Sequence, residues 1–173
     1  MPLIKNGRVA EDAFTVADDD TVIADGDSII VPATRLLADA QDLLRRSGPT
    51  GVIWPNNCDV AELEPFLKDL ALVALVFPNF RDGRAYSQAR LLRERYGYRG
   101  EIRATGQVLR DQFLFMLRAG FDAFAVTKRG DADAFAKTLQ RYSAFYQPAA
   151  DRPSVKRGRF RAGEGQLVVK TTV

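Results

Sequence analysis

Arginines and carboxylates crowd two short stretches of this sequence. Residues 79–86 hold Arg81, Asp82, Arg84 and Tyr86, with Arg90 one turn further on, and residues 103–112 hold Arg103, Arg110, Asp111 and Gln112. A guanidinium grips an oxyanion through two parallel N–H bonds, and a helix start adds free backbone N–H groups and a partial positive charge. The set Asp82, Arg84, Tyr86, Arg90, Arg103, Arg110, Asp111 and Gln112 therefore suits binding of phosphate, sulfate, sulfite or a carboxylate, or docking of a partner. As an enzyme the chain would use Asp82 or Asp111 as general acid or base, with Arg84, Arg103 and Arg110 as the clamp. The plainer reading makes Asp82 and Asp111 helix starters that pair with the arginines at the surface, where such pairs contribute little.

What is missing narrows the chemistry further. The sequence has no histidine and one cysteine, Cys58, so Ser-His-Asp and Cys-His machinery, an intramolecular dithiol, a cysteine-held Fe–S cluster and a cysteine-rich zinc site are all excluded. Cys58 follows a strand and precedes a helix start, a setting that lowers a thiol pKa, yet a lone cysteine without a histidine base reads first as a packing residue. Gly83 and Gly106 belong to no G-x-G-x-x-G or G-x-x-x-x-G-K pattern. No cofactor is encoded by a recognisable motif.

A length of 173 residues with 46% hydrophobic and 27% charged content suits one globular domain with a sizeable core. The net charge is +3, from 25 basic against 22 acidic residues, and this balance does not demand nucleic acid. The strongest local excess, Lys156, Arg157, Arg159 and Arg161, reads as a solvated basic tail before a phosphate contact. Residues 1–10 have no continuous apolar region or cleavage site, and the apolar run at 70–78 is far short of the roughly 20 residues of a membrane span. The expected location is the cytoplasm.

The elements that must position these side chains follow from periodicity. Short apolar runs at 28–31, 51–54, 71–77, 101–104 and 121–126 predict five strands, each followed by a stretch of helical spacing. Leu36, Leu37, Leu43 and Leu44 mark the first helix, with Ser47-Gly48-Pro49 as its stop. Asp59 and Glu62 have the spacing of a cap and its reciprocal partner for a second helix carrying Val60, Leu63, Phe66, Leu67 and Leu70. A third runs to about Arg95, a fourth carries Leu109, Phe113, Met116 and Leu117 and ends at Gly120, and Phe135, Leu139 and Tyr142 mark a fifth. Phe115 lies off the main stripe of the fourth, so it thickens a two-sided core or faces a partner.

Five βα units over residues 28–147 predict an α/β fold: an open, mainly parallel sheet of about five strands with helices on both faces, flavodoxin-like or Rossmann-like. A half-barrel reads identically from sequence. Residues 1–27 form a loop-rich N-terminal arm and residues 148–173 a basic C-terminal tail, within one domain. In either architecture a ligand sits beyond the carboxyl ends of the strands, which are the stretches where the arginines and carboxylates collect.

The block Phe80-Arg81-Asp82-Gly83-Arg84-Ala85-Tyr86-Ser87-Gln88-Ala89-Arg90, continued by residues 100–112 and by Arg118-Ala119-Gly120-Phe121-Asp122-Ala123-Phe124, resembles a bacterial family catalogued as domain of unknown function 934. That family is associated with sulfite reduction, and its members are commonly encoded beside the sulfite reductase haemoprotein. The resemblance implies an accessory protein of assimilatory sulfite reduction, docking on the reductase or its electron donor. It carries over no catalytic residues. Sulfite reduction takes six electrons through siroheme and an Fe–S cluster, and a chain with one cysteine cannot ligate that cluster, so it is not the catalytic subunit.

Overall fold

A computed structural model describes residues 2–5, 8–127, 130–140 and 149–150. The chain runs β1 (Leu3–Lys5), β2 (Arg8–Ala10), β3 (Thr15–Val16), β4 (Ile29–Pro32), α1 (Ala33–Arg45), β5 (Thr50–Trp54), a 3₁₀ helix (Val60–Phe66), β6 (Leu70–Phe77), α2 (Arg84–Glu94), β7 (Glu101–Gly106), a 3₁₀ turn (Arg110–Gln112), α3 (Phe113–Ala119), β8 (Ala123–Ala125) and α4 (Asp131–Gln140). The five expected strands are β4 to β8. Tyr142, the basic run and all of the C-terminal tail but residues 149–150 lie outside the described residues.

The sheet order β2-β1-β8-β7-β6-β5-β4-β3 decides between the two architectures. Strands β3 to β8 are parallel neighbours in chain order. The order never reverses, and right-handed crossovers then place every helix on the same side. Core packing agrees, because Leu36 of α1, Leu63 of the 3₁₀ helix, Leu92 of α2, Met116 of α3 and Phe135 of α4 all join one cluster with Val52, Val73, Leu75 and Ile102. The other face keeps a small cluster of Ile30, Leu72 and Ala74, with Phe14 and Ile53 against it. The fold is therefore a half-barrel, not a sheet with helices on both faces.

The N-terminal arm explains the curl. Strands β2 and β3 lie at opposite edges of the eight-stranded sheet, yet only residues 11–14 join them. Seven strand spacings of about 4.8 Å would separate those edges by roughly 34 Å in a flat sheet. Five extended steps from Ala10 to Thr15 reach at most about 18 Å. The sheet must bend to satisfy its own connection, and residues 11–14 become a strap across the concave side.

Two side chains fix the strap. Asp12 accepts both terminal nitrogens of Arg103, Nη1 at 2.7 Å and Nη2 at 2.9 Å, while Arg103 Nε donates to Glu101 at 2.8 Å and Lys5 pairs with the same glutamate. Phe14 packs on the concave cluster, its ring centroid 5.8 Å from the Arg103 guanidinium. Arg103 is 3% exposed, so this pairing holds a buried cation in a neutral network. Further along, Arg35 and Arg46 of the first helix and its end donate to backbone oxygens of Asp18, Thr21 and Asp27, which ties the remaining arm to α1.

Helix boundaries follow local chemistry with one correction. The stretch after Asp59 is a seven-residue 3₁₀ helix, not an α-helix reaching Leu70; Pro65 lies inside it and Leu70 begins β6. Asp59 does cap it, accepting the Ala61 N–H at 2.9 Å. Gly120 ends α3 at φ +107°, with its N–H bonded to Leu117 O and the Phe121 N–H to Met116 O, as a glycine stop requires.

At the amino ends of the strands, Arg93 donates to the carbonyls of Gly120, Tyr98 and Gly100 and pairs with Asp122. Beside it the buried Tyr98 hydroxyl donates to Leu70 O at 3.1 Å, and burial pushes this phenol well above the usual tyrosine range. Tyr98→Phe removes that bond and leaves a buried carbonyl with one partner fewer. The expected loss is about 1 kcal/mol, read as a fall of roughly 2–4 °C in the unfolding midpoint.

Candidate functional site

The carboxyl ends of β5, β6 and β7 meet on one rim. From β5 comes Asn56, from β6 the loop Pro78–Gly83 that opens α2, and from β7 the loop from Gly106 to the 3₁₀ turn. Gly106 makes the last of these possible. It sits at φ +85° with the space of a missing Cβ occupied by Phe77 O, and the next residue, Gln107, donates its N–H to that oxygen at 2.8 Å.

Two glutamines then hold the Phe80 loop by its backbone. Gln107 Oε1 accepts the Phe80 N–H at 3.0 Å, and Gln112 Nε2 donates to Phe80 O at 3.3 Å. With both main-chain groups clamped inward, the Phe80 ring stands outward, 51% exposed, with the Arg81 guanidinium 5.4 Å from its centroid. Leu109 and Phe115, 38% and 66% exposed, stand on the stretch just after Gln107 and on α3. The off-stripe position of Phe115 is thus a surface position.

The expected site residues fall in four places. Asp82, Arg84, Tyr86, Asp111 and Gln112 share the rim. Arg84 grips Asp82 through Nη2 at 2.7 Å and Nε at 3.0 Å, and its own N–H adds a bond at 3.3 Å. This guanidinium, more than the backbone N–H and the Asn56 amide, holds the Asp82 carboxyl well below its usual range, and Asp82 raises Arg84 in return. Asp82 thus stays ionised as pH falls through the ordinary carboxylate range, and its contribution is lost only in stronger acid.

Tyr86 lies over Phe77 and Phe121, with ring centroids 5.2 and 6.4 Å away. Burial is the first cause, and the negative charge of Asp111 the second, that raises its phenol. Arg110 stands beside this group but is bound to Asp131 at the start of α4, at 2.7 Å. Arg90 is away from the rim, in a solvent-exposed pair with Glu94 on its own helix. Arg103 is on the concave face under the strap.

Each arginine of the expected site thus carries a carboxylate already: the clamp residues Arg84, Arg103 and Arg110 have Asp82, Asp12 with Glu101, and Asp131, and Arg90 has Glu94. Asp82, held ionised by a guanidinium, is a poor proton acceptor. Cys58 is a free, half-buried cysteine whose carbonyl takes a hydrogen bond from Gln88. Among the described residues no group of three or more His, Cys, Asp and Glu side chains is placed to hold a metal, and no helix is long and apolar enough to cross a membrane. Sequence reading missed Gln107 and Asp131, which act on the site through partners 27 and 21 positions away.

A family model described as bacterial protein of unknown function (DUF934) matches residues 51–156. The chain belongs to this family. The matched span begins in β5 and takes in α2, β7 and α3, so all three rim loops of the DUF934 chain fall inside it, whereas the strap at 11–14 falls outside. No curated protein matches the chain.

Proposed function

We propose that this DUF934 protein is a cytoplasmic accessory protein of assimilatory sulfite reduction that docks on the sulfite reductase haemoprotein or its electron donor through the Phe80 rim. The observation that supports docking over anion chemistry is the pairing of Arg84, Arg90, Arg103 and Arg110 with carboxylates of the chain itself, beside clamped and outward-facing Phe80. A free guanidinium fork is what a small oxyanion needs. An aromatic ring and arginine standing proud among self-neutralised polar pairs is what a protein interface uses as an anchor and rim. The pathway comes from the family resemblance carried by residues 80–90 and 100–124.

Calorimetric titration against the haemoprotein and its electron donor, with and without sulfite, tests the reading. Binding at micromolar concentration is expected, without turnover of sulfite by this chain alone. Phe80→Ala should weaken it about tenfold or more, equivalent to roughly 1.4 kcal/mol, with Phe115→Ala acting in the same direction. Absence of binding to both proteins, or unchanged affinity in the two variants, rejects it; saturable sulfite binding by the isolated chain, lost in Arg84→Ala, would favour the enzyme with Asp82 or Asp111 as acid or base.

A further inference from the structure

We infer that the concave face of the half-barrel is a binding site for an extended segment carrying a carboxylate and, two residues on, an aromatic ring, and that residues 11–14 of the chain occupy it in cis. The inference is independent of the docking rim. Its basis is the way the strap is held. Asp12 engages the Arg103 fork through both oxygens, and Phe14 seats its ring on Ile30, Leu72 and Ala74 against the same guanidinium. Asp12 also accepts the Phe14 N–H at 3.2 Å, which sets the two side chains toward one face of the sheet.

The strap is held as a bound segment would be, by few contacts. Glu11, Asp12 and Ala13 are exposed, and the following β3 has two residues, both exposed, at the sheet edge. Its hold on β4 is a short ladder in which Thr15 N–H meets Ser28 O and Ala17 N–H meets Ile30 O, each at 2.9 Å. Lifting the strap and β3 breaks no strand pairing among the helix-covered strands β5 to β8. What it uncovers is a 3%-exposed arginine with a partly apolar seat beside it. A free oxyanion would satisfy the fork and leave the seat wet, so the site selects a segment that supplies both groups on one extended backbone.

The test uses a fluorescein-labelled peptide of residues 10–17 and the Asp12→Ala protein, whose own strap has lost its grip on Arg103. Fluorescence anisotropy should show saturable binding, at least tenfold tighter than to the unaltered protein, where the tethered strap competes at high effective concentration. Replacing either the aspartate or the phenylalanine of the peptide by alanine should weaken binding at least tenfold. A folded variant that binds no peptide, equal binding of the altered peptides, or full displacement by millimolar sulfate overturns the inference. If Asp12→Ala does not fold, hydrogen exchange on the unaltered protein decides. Phe14 and Thr15 amides exchanging at least a hundredfold faster than Val73 and Ala104 support a strap that opens by itself, and equal rates overturn it.

Discussion

Asp12→Ala is expected to lower the unfolding free energy by about 3 kcal/mol, because it leaves the buried Arg103 guanidinium short of the carboxylate that neutralises it. Arg103, with 4% of its side chain exposed, would keep only the bond from Nε to Glu101, and both terminal nitrogens would lose their carboxylate acceptors. The strap would lose its charged anchor in the same stroke, leaving Phe14 and the short ladder from β3 to β4 to hold it. Thermal unfolding should show a midpoint roughly 6–12 °C lower. Asp12→Asn, which keeps one acceptor oxygen, should lose less. Glu94→Ala serves as the contrast, because it breaks an exposed i,i+4 pair on α2 and should cost no more than about 0.5 kcal/mol. Equal effects of Asp12→Ala and Glu94→Ala would mean that the strap does not brace the half-barrel.

Gly106→Ala should cost about as much, roughly 3 kcal/mol from left-handed backbone strain and overpacking together. At φ +85° the added Cβ would fall 2.3 Å from Phe77 O, a backbone atom of the central strand that cannot swing aside. The loop must then move, and with it Gln107, whose side chain carries the Phe80 N–H. The variant should therefore lose both stability and affinity for the docking partner. Gly97 isolates the two causes: it also has positive φ, at +63°, but open space where its Cβ would be. Gly97→Ala should cost about 1–2 kcal/mol from backbone conformation alone and leave partner binding unchanged. Equal melting curves for the two glycine variants would remove the close approach to Phe77 as the reason for Gly106.

That most of the carboxylate and arginine stretches lie at the carboxyl ends of the strands was legible, because strand ends and helix starts can be placed from apolar runs and stops. Asp82, Arg84, Tyr86, Asp111 and Gln112 do converge on one rim. Arg103 did not fit that group, since it lies within β7 rather than after it, and the alternation of a strand assigns it a face without saying what covers that face. Its partner Asp12 is 91 positions away. Arg110 looked free for the same reason, its carboxylate being 21 positions further on. Outward-standing Phe80 was hidden among aromatics that packing explains, because the glutamines that clamp its backbone come from another strand end.

The sequence by itself determined the five parallel βα units, the glycine stop at Gly120, the cap at Asp59, the exclusion of histidine and cysteine-cluster chemistry and the family, because each depends on residue types over a few turns or on an unbroken block. Only the tertiary structure decided that the units wind in one direction, that all helices cover one face, and that residues 11–14 draw the two edges together. Those are properties of strand order and of contacts between distant segments. Local periodicity is identical in a flat sheet and in a half-barrel, and what separates them here is the short reach of four residues against the width of eight strands.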